Sequence, residues 1–146
     1  MGQSTNGILC YGFCLPYEDE PIPWLQIEGE DDEEMEFDEF LAKLEGLEKP
    51  TADYKEDPKP HKAYWKAKDE LAAKVGVTLV YHCSGDYSMY ILAIRESEYT
   101  ASRGYPKGLG QGLPDTVEWR DRLKAFCERA GIRFAEPQWI LCSMWS

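Results

Sequence analysis

No stretch of the 146-residue chain approaches the roughly 18 consecutive apolar residues of a membrane-spanning helix. No basic start, apolar core and small-residue cleavage site opens it, so a secretory leader is not expected. The start MGQSTN also fails as a myristoylation signal, because Asn6 stands where Ser or Thr is needed. Histidine is scarce, with only His61 and His82, which limits acid-base and metal chemistry near neutral pH. Five cysteines are present without a single Cys-x-x-Cys pair. An odd count with no leader points to a reducing compartment rather than a disulfide framework. Basic residues are outnumbered 27 to 16, and a net charge of -11 argues against a general nucleic-acid binder. There is no internal repeat and no coiled-coil heptad. A soluble, cytoplasmic, acidic single domain spanning 1–146 is expected, its aromatic share of 13% being too rich for a wholly disordered chain.

The acidity is concentrated. Residues 17 to 57 hold 17 acidic side chains against three lysines, a net of -14, which leaves +3 for the rest of the chain. The densest run is Glu28, Glu30, Asp31, Asp32, Glu33, Glu34, Glu36, Asp38 and Glu39. Like charges this close repel and favour extended backbone, which reads as a solvated loop. The same carboxylates, with Trp24 beside them, also make a surface that a basic partner would recognise. We place an acidic loop-and-helix insert at about 16–60.

Patterning sets the elements around it. Residues 7 to 15, GILCYGFCL, read as a buried strand before Pro16. Phe37, Phe40, Leu41, Leu44 and Leu47 recur at helical spacing, with acidic residues in the first turn and Gly46 and Pro50 at the end. A second helix starts near Pro60 and stops at Gly76. Tyr64, Ala67, Leu71 and Val75 form its apolar stripe, and Lys59, Lys62, Lys66, Lys68 and Lys74 its opposite side. That basic side is expected to pair with the acidic segment. Val77–Cys83 and Tyr87–Arg95 flank Ser84-Gly85-Asp86 and predict a hairpin. Residues 100 to 113 read as a Gly-rich loop. Asp115 and Glu118 suggest a capping box for a third helix, with Trp119, Leu123, Phe126, Cys127 and Ala130 inward. Gln138–Trp145 closes the chain as a strand. The order β-α-α-β-β-α-β implies an α+β fold: a four-stranded, mostly antiparallel sheet with about three helices.

Three constellations bear on chemistry. His82 adjoins Cys83, Ser84 and Asp86, which is the residue set of a nucleophile and base, although Ser, Gly and Asp are also what a turn requires. Arg103 and Lys107 sit in the Gly-rich loop, where backbone N–H groups and cations suit a phosphate; the Gly-Lys-Ser/Thr ending of a P-loop is missing. The acidic run lacks the alternation and central Gly of a calcium-binding loop. No cofactor and no metal site is expected, and the cysteines read as small core hydrophobes.

A resemblance adds to this. The opening Met1-Gly2-Gln3-Ser4-Thr5-Asn6-Gly7-Ile8-Leu9 with Tyr11-Gly12 is similar to a group of small acidic proteins encoded by tailed bacteriophages and prophages. So are the block from His82 to Ala93, Arg103-Gly104-Tyr105-Pro106, and Trp139-x-x-Cys142-Ser143-x-Trp145. Residues 16 to 60 carry none of the likeness. The group has no assigned activity, so the resemblance implies a bacteriophage or prophage origin and a bacterial host cytoplasm, and it carries over no catalytic residue.

Two readings follow. The leading one is a non-enzymatic protein that binds a host or phage protein with a basic surface. Its carboxylates would act as a nucleic-acid mimic against a DNA-processing or defence system, with no direct contact to nucleic acid or membrane. The rival is a small enzyme or nucleotide- or phosphate-binding domain using the 82–86 turn and the 103–112 loop, with His82, Ser84, Asp86, Arg103 and Lys107 as its site. Trp139, Met144 and Trp145 are also suited to burial against a second copy, so a homodimer stays open.

Overall fold

The computed structural model describes residues 5–16 and 36–145. The chain forms β1 (Thr5–Cys14), α1 (Phe37–Leu44), α2 (Lys59–Val75), β2 (Val77–Ser84), β3 (Ser88–Ile94), β4 (Tyr99–Ser102), α3 (Val117–Ala130) and β5 (Gln138–Trp145), with a 3-10 turn at Arg95–Ser97. The fold is α+β with three helices among the described residues, and the sheet has five strands rather than the four expected. The extra strand, β4, lies almost wholly where the sequence reads as the start of a Gly-rich loop. Its four residues alternate, but a stretch that short is too brief to announce itself as a strand. The sheet is mixed, because β2 and β5 run parallel where they meet. The chain divides into two compact units, one of residues 1–20 and 77–146, the other of residues 21–76.

In the strand unit, β1 is the organising element. One edge pairs with β5 from Thr5 to Gly12. The other edge is shared by β4, along Asn6–Leu9, and β3, along Gly12–Cys14. β3 continues into the hairpin with β2, and β2 touches β5 at Cys83–Met144 and Ser84–Trp145. The pairings β1–β3–β2–β5–β1 therefore close a ring. Strand alternation then sends Ile8, Cys10, Val80, Ile91 and Ala93 into one buried cluster, with Ile140, Cys142 and Met144 packed on it. Met144 packs on this cluster while remaining partly exposed.

Two residues let one strand edge serve two partners. A Cβ on Gly12 would lie 2.0 Å from the Leu92 carbonyl oxygen, so only glycine admits β3 this close. Between the β3 and β4 pairings the Tyr11 N–H loses its ladder acceptor. The wholly buried Ser97 supplies one: its Oγ accepts from Tyr11 N–H at 2.9 Å and donates to the Ile94 carbonyl at 2.6 Å.

The other face of the strands carries Tyr11, Phe13, Leu79, Leu92 and Ile94, all buried. α3 contributes Leu123, Phe126 and Cys127 as its buried stripe, at the spacing the sequence predicts. Tyr11, Trp119 and Trp139 meet as three rings with centroids 5.8–6.0 Å apart. The predicted capping box does not form. α3 begins at Val117, and Asp115 Oδ1 accepts the Val117 N–H at 3.0 Å in a local turn. Glu118 instead binds Arg122, one helical turn on, at 2.8 Å.

In the helical unit, α1 buries Phe37, Phe40, Leu41 and Ala42. α2 has Pro60 in its first turn and ends on Gly76, whose φ of 68° is the left-handed geometry a glycine cap supplies. Its predicted stripe of Tyr64, Ala67, Leu71 and Val75 is only half-buried. Lys68, expected on the solvent side, lies on the shielded side with its side chain 17% exposed, and binds Asp38 at 3.1 Å. This pair joins α2 to the acidic start of α1.

Candidate functional site

The acidic segment is described from Glu36 onward. Glu28, Glu30, Asp31, Asp32, Glu33, Glu34 and Trp24 lie outside the described residues. Glu36 is the N-cap of α1 in extended geometry and makes no side-chain capping bond; Asp38 and Glu39 fill the first turn, where the helix dipole favours negative charge. Asp38 is engaged by Lys68. Burial alone would lower the Lys68 pKa, but the hydrogen bond and charge of Asp38 outweigh it and hold the ammonium above its ordinary range. Tyr64 lies under the same ammonium, its ring centre 5.6 Å away. Glu39 faces a hollow of about 490 Å³ with Lys43, Leu47, Glu48, Lys49 and Tyr64. Glu36, Glu45, Glu48, Asp53, Glu56 and Asp57 are exposed. Asp53 and Asp57 also hold backbone N–H groups, of Lys55 at 2.9 Å and Lys59 at 3.2 Å, which shape the turn before α2. These carboxylates can present spaced negative charge to Lys and Arg.

The hairpin turn has the internal bonding of a turn. Ser84 Oγ accepts the Tyr87 N–H at 3.1 Å, and the Ser84 carbonyl accepts the Ser88 hydroxyl at 3.3 Å. Asp86 is exposed at the tip. His82 is half-buried, and desolvation pushes its pKa below the ordinary imidazole value. No hydrogen bond among the described residues joins His82 to Ser84. Cys83 has φ of +78°, a left-handed conformation that bends the end of β2 toward β5. Simple strand alternation between His82, Cys83 and Ser84 therefore does not hold.

Strand register locates Arg103 relative to this turn. Ser84 pairs with Trp145, Trp145 with Thr5, and the Thr5 carbonyl accepts the Arg103 N–H at 3.0 Å. The two predicted ligand segments thus share one end of the sheet, as the rival reading requires. Three strand spacings separate them, about 14 Å measured along the sheet. The sheet does not bring the Ser84 and Arg103 backbones together, and Lys107 lies elsewhere, beside Leu9, Tyr99 and Leu141.

The five cysteines are free thiols. Cys10 is buried on the inner face of the ring, diagonal to Cys142 across the β1–β5 register. Burial pushes the Cys10 thiol up to about 12, and the neighbouring Cys142 thiol and Glu98 carboxyl disfavour a thiolate there further. Cys127 is pushed up to about 11, again chiefly by burial. Such thiols stay protonated and unreactive at neutral pH. Cys14 is the exposed one. Among the described residues no group of three or more His, Cys, Asp or Glu is placed to hold a metal ion. No described helix is long and apolar enough to cross a membrane.

Sequence reasoning missed a surface formed by Leu9, Tyr99, Ala101 and Leu141. Each looks like an ordinary strand residue in isolation. Only the cross-strand register puts them side by side. A comparison with protein-family models, with curated proteins and with solved structures finds no match to this chain.

Proposed function

We propose that this chain is a non-enzymatic protein of a bacteriophage or prophage. It binds a host or phage protein that has a basic surface, acting as an acidic nucleic-acid mimic against a DNA-processing or defence system. The observation that carries the reading is the net charge of -14 over residues 17–57. Closely spaced carboxylates offer Lys and Arg the same negative field as a phosphate backbone. The exposed Glu36, Glu45, Glu48, Asp53, Glu56 and Asp57 extend that field beyond the densest run.

The test is capture from bacterial lysate by the full chain and by a variant with the acidic residues of 28–39 changed to Asn and Gln. The wild type is expected to retain a basic partner that the variant loses. The affinity is expected to fall by an order of magnitude or more as salt rises through the range where the Debye length shrinks from about 10 Å to about 3 Å. Equal recovery by both chains, or an affinity indifferent to salt, would overturn the proposal.

A further inference from the structure

The strand unit carries a bare patch in the middle of its sheet. β5 is the central strand of the order β3-β2-β5-β1-β4, yet its Leu141 is 80% exposed. Register explains what surrounds it. Leu141 pairs with Leu9, and Leu9 with Tyr99, so one apolar row crosses three strands. The next row on the same face is Ser143, Gly7 and Ala101, all small. A row of small side chains beside a row of large ones is a trough. The loop after β4 folds over it and adds Leu109 and Lys107, leaving a hollow of about 210 Å³. At about 30 Å³ per water, that is room for roughly seven waters, or one short apolar chain.

Among the described residues, Lys107 is the one charged side chain that lines this apolar hollow, no carboxylate does, and Lys107 makes no ion pair. An apolar trough with a single unmatched cation complements an apolar molecule with a single negative charge. We infer that the trough is a binding site for a small apolar carboxylate. The chain of the ligand lies along Leu9 and Leu141, and its carboxylate meets the Lys107 ammonium. This site is independent of the acidic surface, and its success or failure leaves the partner-binding proposal untouched.

The probe is octanoate, compared with octanol and octylammonium, each titrated while the methyl resonances of Leu9, Ala101 and Leu141 are followed by NMR. Octanoate is expected to shift them saturably. Octanol should bind about fivefold more weakly, the scale of one partly exposed charge pair, and octylammonium more weakly still. Lys107→Glu should reverse the order of octanoate and octylammonium. Gly7→Val supplies a second handle. A Cβ there would meet only the Ala101 carbonyl oxygen, at 3.9 Å, so valine fills the trough without a clash and suits a strand. It should abolish octanoate binding with the melting temperature unchanged or raised; if it fails to fold, the Lys107→Glu reversal decides alone. The inference is overturned by equal affinity for octanol and octanoate, by binding that survives Gly7→Val, or by no saturable shift up to about 10 mM. It is equally overturned if these resonances shift with protein concentration alone, which would assign the trough to a second copy.

Discussion

The two compact units are held by different physics. Among the described residues, the strand unit buries fourteen hydrophobic side chains, from Ile8 to Cys127, while the helical unit buries four, Phe37, Phe40, Leu41 and Ala42. The basic residues divide just as sharply. All six arginines fall in residues 77–146, and eight of the ten lysines fall in residues 21–76. Arg120 forks onto both oxygens of Glu136, and Arg122 joins Glu96 and Glu118, so planar guanidinium groups tie α3 to its surroundings. Lysine offers a single mobile charge, and Lys68 is the half-buried case in which it is fixed. The lesson is one of division of labour. The strand unit uses geometry, with close backbone approach at Gly12 and a buried hydroxyl at Ser97 that serves the Tyr11 N–H. Among the described residues, the helical unit leaves Glu36, Glu45, Glu48, Asp53, Glu56 and Asp57 exposed to solvent.

The sharpest way to break this comparison is at Gly12. Gly12→Val should cost about 4 kcal/mol or more, because a Cβ 2.0 Å from a backbone oxygen cannot be relieved by a rotamer change. Denaturant unfolding followed by tryptophan fluorescence would show it, and a near-normal midpoint would mean that the shared edge of β1 is not the organising feature of the ring.

A smaller effect is expected at Ser97. Ser97→Ala leaves the Tyr11 N–H buried without an acceptor and should cost about 1–3 kcal/mol. Hydrogen exchange at Tyr11 sharpens the point: its amide should exchange far faster in the variant, while the amides of α2 should not change. A loss spread evenly over both units would dissolve the contrast between them.

The smallest effect belongs to the helical unit. Lys68→Met should cost about 1 kcal/mol or less, and the gap from wild type should shrink in high salt. Because Asp38 raises the Lys68 pKa in the folded chain, the pair contributes fully below the ordinary lysine range and is lost as pH rises through the raised value. Melting temperatures taken across alkaline pH should therefore converge for wild type and variant only at the high end. A gap that persists there would assign the effect to packing of the lysine stem rather than to charge.

Much of this molecule was legible residue by residue. The apolar spacing of Phe37, Phe40 and Leu41, the Gly76 stop, the 84–86 turn and the final strand from Gln138 all follow from local periodicity and turn chemistry. The misses share a cause. β4 is four residues long and is a strand because β1 leaves it an open edge. Lys68 pairs with the acidic segment as expected, but it is shielded rather than solvent-facing because Asp38 comes to it from thirty residues away. Asp115 turns back on Val117 and frees Glu118 for Arg122. In each case a tertiary neighbour outweighed a local preference.

Composition and order determined by themselves that this is an α+β chain with its negative charge gathered before residue 58 and its arginines gathered after residue 76. Only the tertiary structure decided that the strands close into a ring, that β2 meets β5 in parallel, and that Leu141 lies bare beside Lys107. The reason is physical. A helix or a turn is written in neighbours a few residues apart, whereas a ring of strands depends on register between segments as far apart as Thr5 and Trp145. That register is fixed by which side chains and backbone groups can approach, as at Gly12 and Ser97, and not by the pattern of any one strand.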